Sequence, residues 1–579
     1  MSALYPSLSI ATVAVSTVGI GALGLRRARR TSDFYVASRA VSPRWNAAAI
    51  GGEYLSAASY LGVAGLILVY GLDMLWYPVG YTAGYLILLA LVAAPLRRSG
   101  AYTLPDFAEI RLDSLLVRRA CSVLVGVIGW LYLLPQLQGA GLTLTTLTGA
   151  PSWIGGLVVA AVVLAAVYFA GMRSITFAQA FQFWLKLVAM LIPAVVLLAL
   201  WHAHGRPTSS GYPTAATDRS VTISRTEQVR MPVSARLELT GRLDGRPVDG
   251  SVLVTAGRHE LGAGAVVRLR AGDVVPSVST ASTIRNSSWA QPFGSGRQHP
   301  LYATLSLILA ICLGTMGLPH VLVRFYTNPD GRDTRRTALA VIGLLSVFYL
   351  LPTVYGALGR HYVPDLLLTG RTDATVLLLP ERMVPGLAGQ LLGALITAGA
   401  FAAFLSTASG LTVSVAGVIS QDLLRSRLHP VRAFRLAAVA ALVVPYLLSL
   451  PSQRLGLAAV VGLAFALAAA TFCPLLVLGV WWTRLTWIGA LAGLVLGGVL
   501  ALAAVLLTVT GHARGGWSGV LLAEPAAWAV PVSFLTMVVV SLATGRHRPP
   551  HVLRTMVRLH APEGLALDRG RELRSLGRS

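Results

Sequence analysis

Glu53 lies in AAIGGEYLSAASYLG, residues 48–62, where the neighbouring side chains are apolar, small or hydroxyl-bearing. A carboxylate is costly in hydrocarbon and belongs where it faces protein or water. The Gly51-Gly52 pair just before it lowers helix stability, so the chain is expected to unwind there. Unwound backbone survives at membrane depth only where it lines a cavity or is buried in protein. The competing reading is close helix packing through the two glycines, with Glu53 near a helix end. A second cluster, Ser406, Thr407 and Ser409, sits in GAFAAFLSTASGLTVS, residues 399–414. Hydroxyls and freed carbonyls supply the oxygen ligands that hard cations take. The plainer alternative is that each hydroxyl bonds the carbonyl four residues before it. A third stretch, LGTMGLPHVLVRFYT, residues 313–327, carries Gly314, Gly317 and Pro319. Proline removes a backbone donor and frees a carbonyl.

Other polar residues stand more alone. Lys186, in AFQFWLKLVAM, is the sole lysine of the chain. It either snorkels to the membrane surface or pairs with Glu53. Gln136, one residue after Pro135, can bond a substrate or a neighbouring helix. His320, after Pro319, reads as a structural partner near the cytoplasmic interface. Trp76 and Tyr77 read as interface anchors. Cys121, Cys312 and Cys473 all fall in apolar runs, so buried thiols are expected rather than disulfides or a metal set. No HExxH, GxSxG or paired carboxylates occur within the apolar runs, which argues against an intramembrane enzyme.

The elements that must position these residues are membrane helices. The chain has 579 residues, 55% hydrophobic and 12% charged, half the charge of a typical soluble domain. Apolar runs of spanning length recur throughout. They predict an all-α polytopic protein with about thirteen spans, near 7–25, 45–71, 74–96, 118–148, 152–172, 177–201, 301–325, 337–358, 386–421, 433–451, 455–482, 485–511 and 527–545. The net charge of +24 does not mark a nucleic-acid binder. The arginines cluster in short gaps: 26, 27, 29 and 30; 97 and 98; 118 and 119; 332, 335 and 336; 425 and 427. Alternate threading with the N-terminus outside puts all these gaps, and the basic tail 546–579, in the cytoplasm. The polar stretch 202–300 then lies outside, and the alternation in 251–275 suggests a few short strands. It is expected to be an external cap or a loop, or less simply a solute-capturing domain. The tail is expected to lie on the membrane surface or to be disordered.

Span 2 opens one group of five spans and span 7 opens the next, entering the membrane from the opposite side. Two Gly/Pro-interrupted segments at matching positions of inverted halves point to a secondary transporter's midplane site.

Five stretches resemble the sodium/solute symporter family, and within it the acetate permease branch. They are SDFYVASRAVSPRWN (32–46), GGEYLSAASYLG (51–62), RRSGAYTLPDFAEIRL (97–112), GTMGLPHVLVRFYT (314–327) and the segment ending in SQDLL (420–424). The resemblance implies two inverted five-helix repeats, 45–201 and 301–482, with 1–44 and 483–545 peripheral. It implies a sodium site made by the backbone carbonyls of Ala47, Ile50 and Ala403 with the hydroxyls of Ser406 and Thr407. The external stretch 202–300 is longer than that branch leads one to expect, and Glu53 stands where the branch often has aspartate. The expected function is symport of a small monocarboxylate (acetate, propionate or pyruvate) with sodium or protons, in a bacterial plasma membrane. Glu53, Tyr54, Ser56, Gln136 and Thr315 are the candidate substrate neighbours, and no cofactor beyond the coupling ion is expected. A symporter of proline or sugar, and a transporter-derived sensor, are the alternatives.

Overall fold

The computed structural model describes residues 4–24, 41–169, 172–207, 210–278, 284–294, 296–422, 429–451, 456–512 and 515–562. The arginine gaps at 26–30 and at 425 and 427, residues 32–40 of the first motif, and the tail beyond 562 lie outside them. Eleven stretches among the described residues are long and apolar enough to cross a membrane. One of them, Ala58–Leu91, is interrupted at Gly71, where φ is 73°, and by a 3₁₀ turn to Leu75. The boundary expected between spans 2 and 3 falls at that interruption. Ser152–Tyr168 is apolar but shorter.

The first half of the chain holds α1 (Leu4–Gly24), α2 (Pro43–Tyr54), α3 (Val63–Tyr70), α4 (Trp76–Leu91), α5 (Ala93–Arg98), α6 (Leu104–Leu112), α7 (Leu115–Thr148), α8 (Ser152–Phe169) and α9 (Met172–Ala203). The second holds α10 (Pro300–Gly317), α11 (Pro319–Phe325), α12 (Gly331–Tyr362), α13 (Gly386–Asp422), α14 (Pro430–Ser449), α15 (Leu457–Trp481), α16 (Trp487–Val509), α17 (Ala526–Ala543) and α18 (Val552–His560). Local signals set several ends. The hydroxyl of Thr103 accepts the Asp106 N–H at the start of α6, and the Asp330 carboxylate accepts the Asp333 N–H at the start of α12. Such side chains satisfy N–H groups that have no partner inside the helix. α7 ends at Gly149, whose φ of 73° favours glycine.

The core sits where α2, α9 and α13 meet, with α10 packed along α15 and α4. α13 and α15 are buried along most of their length, unlike α1, α14 and α17. At the basic gaps, Arg118 of α7 binds Asp106 at 3.0 Å, Asp422 at 2.8 Å and Glu109. Arg97 donates to the carbonyls of Asn328 and Pro329, each at 2.6 Å. In the described part of the tail, α18 lays Met556 and Leu559 inward and holds the Arg98 carbonyl through Arg558.

Residues 219–278 form a small antiparallel sheet: β1 (Arg219–Thr222), β2 (Glu227–Met231), β3 (Ala235–Leu243), β4 (Arg246–Val254), β5 (Gly257–Leu261), β6 (Val266–Leu269) and β7 (Ser277–Val278). The order is β1-β6-β3-β5-β2-β7, with β4 beside β3. Asp244 and Gly245, both at positive φ, make the two-residue turn between β3 and β4. Strands therefore begin more than thirty residues before the alternating stretch that suggests them, and the segment is a folded unit with its own apolar core. That core is completed by Leu368 from the membrane part of the chain. A second attachment is Trp289, whose indole N–H bonds the Ile67 carbonyl at 2.7 Å, while its own backbone leaves no room for a side chain at Gly71.

Candidate functional site

The helix of span 2 does not unwind at Gly51-Gly52. α2 continues through both glycines to Tyr54, and the break lies at Leu55 and Ser56, followed by a π turn at Ala58–Gly62. The glycines serve contact instead. A Cβ on Gly51 would sit 2.9 Å from the Phe183 ring, and one on Gly52 would collide with the Gln179 carbonyl. The pair lets α9 lie directly against α2, which is the packing alternative.

Three carbonyls at the end of α2 are taken by side chains from elsewhere. The Gly52 carbonyl accepts from Lys186 and from Ser406 Oγ, the latter at 2.6 Å. Glu53's carbonyl accepts from Thr407 Oγ1 at 2.6 Å, and that of Leu55 accepts from Lys186 Nζ at 2.8 Å. Lys186 Nζ also donates to Ser406 Oγ at 2.7 Å. A helix C-terminus carries orphan carbonyls and partial negative charge, so hydroxyls and a cation are suitable partners. On the far side of the break, Gln136 Oε1 accepts the Ala57 N–H at 2.9 Å and its amide donates to the Tyr132 carbonyl. Gln136 thus braces the break.

Glu53 pairs with Arg324, not with Lys186. Arg324 Nε lies 2.7 Å from Glu53 Oε2, and both side chains are 1% exposed. Arg324 also holds Thr176 Oγ1 at 2.9 Å and Gln179 Oε1. Its carbonyl accepts from Asn46 at 3.0 Å. Gly410 makes room for the carboxylate, since a Cβ there would overlap it. Lys186 is fully buried and points into the bundle, so it does not snorkel.

Span 7 breaks as expected. α10 ends at Gly317, Leu318 is extended, and α11 starts at Pro319. The two breaks are joined by the Tyr54 hydroxyl and Thr315 Oγ1 at 2.8 Å, and by the Glu53–Arg324 pair. Around them stand Tyr81 and Tyr85, edge-on to Tyr54 at 5.7 and 4.9 Å, and Tyr132 against His320 at 5.1 Å. Among the described residues, Ser56 Oγ, Tyr81 Oη, Tyr85 Oη and both His320 ring nitrogens are buried with no hydrogen-bond partner. His320 is therefore no interfacial structural partner. Tyr77 likewise turns inward beside Tyr81, while Trp76 is exposed.

Of the expected cation residues, Ser406 and Thr407 reach the end of α2, while the Ala403 carbonyl lies 3.1 Å from Ser406 Oγ within α13. Ala47 and Ile50 lie within continuous helix, and the carbonyls that meet Ser406 and Lys186 are those of Gly52 and Leu55. Ser409 bonds the Leu405 carbonyl, the plain helical alternative. The three cysteines are free and buried. Arg324, Thr176, Gln179 and Asn46 are participants that no sequence argument picked out. A signal existed for two of them: Thr176, Gln179 and Lys186 share one helix face with Phe183 at three- and four-residue steps.

The sodium:solute symporter family model matches residues 34–235 and 259–497. An uncharacterised symporter of Cupriavidus necator is 30% identical over 90% of this chain and 89% of its own length. The monocarboxylic acid transporter of Corynebacterium glutamicum is 28% identical over 92% and 90%. A Na+-coupled sialic acid symporter, solved substrate-bound and outward-open, superposes with a TM-score of 0.63 at 12% identity over 93% of this chain and 97% of that one. MHP1, a nucleobase-cation-symport-1 transporter solved in a closed conformation, gives 0.50 at 11% over 92% and 99%. At those identities the two structures speak for the fold alone. The chain belongs to the sodium:solute symporter family, and it is a multi-pass symporter of the bacterial plasma membrane.

Proposed function

We propose that this symporter carries small monocarboxylates such as acetate, propionate or pyruvate, by alternating access, with a sodium or proton gradient as the drive. The observation that carries the reading is the set of unpaired buried groups at the two breaks: Ser56 Oγ, Tyr81 Oη, Tyr85 Oη and the His320 ring. An unsatisfied buried polar group costs about 1–3 kcal/mol, so several together make sense as donors kept for a ligand's oxygens. A carboxylate accepts such donors and carries few atoms, which suits a site walled by Tyr54, Tyr132 and Phe465. The named cargo of the Corynebacterium relative supports the same choice.

Each residue then has a task. Tyr54 and Thr315 tie span 2 to span 7 beside the substrate, and Gln136 keeps the break open by holding the Ala57 N–H. On the alternate threading, α2 and α11 are the cytoplasmic halves of their spans. The Glu53–Arg324 pair makes them move as one body when the inner side opens.

Competition tests the cargo. Uptake of labelled pyruvate into proteoliposomes is expected to fall with excess unlabelled acetate or propionate and to be indifferent to proline and glucose. Inhibition by proline or glucose with none by acetate would reject the monocarboxylate reading.

A further inference from the structure

Ser406, one of the hydroxyls expected in a sodium site, already holds a cation together with the carbonyls of Gly52 and Leu55. Lys186 Nζ is bound to the Gly52 carbonyl, to the Leu55 carbonyl at 2.8 Å and to Ser406 Oγ at 2.7 Å. These belong to the end of α2, the break after it, and α13, and the lysine itself comes from α9. Ser406 Oγ spends its proton on a carbonyl, and Thr407 Oγ1 spends its own on the Glu53 carbonyl. An ammonium has three donors, and here three oxygens face it. The Gly52 carbonyl already accepts twice, from Lys186 and from Ser406, and a second unit charge a few ångströms from the ammonium in a poorly screened interior would be strongly repelled.

Residue usage isolates the position. Every other one of the 47 lysines and arginines in the chain is arginine. An arginine fork favours flat, paired acceptors, whereas an ammonium is a compact point charge with freely rotating donors. Three converging oxygens at a helix C-terminus suit the point charge. The charged group nearest on α2 is Glu53, which is already engaged by Arg324 of α11. Helix α13 has no charged residue before Asp422 at its end, and α1 has none among its described residues. The charged residues of α12 lie in its first two turns and its last.

We infer that the Lys186 ammonium is the resident cation of this symporter, a tethered replacement for sodium, and that substrate uptake does not depend on sodium. The inference deepens the transport reading but not the choice of cargo. Of the two drives proposed above, it leaves the proton gradient.

The test has two arms. In the first, purified full-length protein is assayed for 22Na+ binding beside a Ser406→Ala variant. No saturable sodium binding to the wild type is the expected result. Saturable binding that Ser406→Ala abolishes would overturn the inference. In the second, pyruvate uptake into proteoliposomes is measured under one pH gradient with sodium present or replaced by N-methylglucamine. Rates within about twofold of each other are expected, and a loss of tenfold or more without sodium would overturn it. If pyruvate is not moved under either condition, the cargo reading falls, and the 22Na+ arm alone decides the role of Lys186.

Discussion

Glu53 and Arg324 are a buried ion pair whose two members come from the inner pieces of two broken spans. Such a pair is weak evidence for stability as a whole, yet deleting one member strands the other charge, typically at about 3–5 kcal/mol. Glu53→Gln would remove the carboxylate from the Arg324 guanidinium and leave it beside the neutral Thr176 and Gln179. Glu53→Gln is therefore expected to lower the melting temperature in detergent more than the double change Glu53→Gln with Arg324→Gln. If the double variant is the less stable by the sum of the singles, the two side chains act independently and the pairing is unimportant. Lys186 illustrates a different economy. Its ammonium is paired with dipoles rather than with a carboxylate, at the end of a helix whose terminal carbonyls favour a cation.

Helix α2 shows why its break was placed too early from sequence. A glycine pair beside a carboxylate can mean unwinding or close packing, and the local residues do not distinguish them. The decision is made by partners far along the chain. Gln136 is 79 residues from the N–H it holds, and Thr407 is 354 residues from the carbonyl it caps. The break at Leu318 was legible because Pro319 enforces it locally. Ser406 and Thr407 were legible as a hydroxyl pair, and the helix face shared by Thr176, Gln179 and Lys186 was legible in its spacing although nothing singled it out. Packing at Gly52 gives an element-scale prediction. Gly52→Ala puts a methyl group into the Gln179 carbonyl, so α9 must back away from α2 and take Lys186 with it. Overpacking of this kind costs about 1–3 kcal/mol. A several-degree drop in melting temperature with loss of most pyruvate uptake is expected. Uptake unchanged from the wild type would mean that the α2–α9 contact does not position the site.

The whole molecule is a helical bundle with an extramembrane sheet seated on one end. Hydropathy alone revealed the bundle, because spans must be long and apolar. The sheet was harder to see. Its strands are short and arginine-rich, so the alternation that marks one face as buried emerges clearly only once β3 is paired with both β4 and β6. Family membership fixes symport, and the proposal of a small monocarboxylate cargo rests on the unpaired hydroxyls at the two breaks. Labelled pyruvate uptake into proteoliposomes, in sodium-free buffer with the lumen alkaline, tests this account most directly. Accumulation above protein-free liposomes, abolished by a protonophore, is the predicted result. Absence of accumulation under that gradient, and equally under an inward sodium gradient, would contradict the claim that this chain moves monocarboxylates.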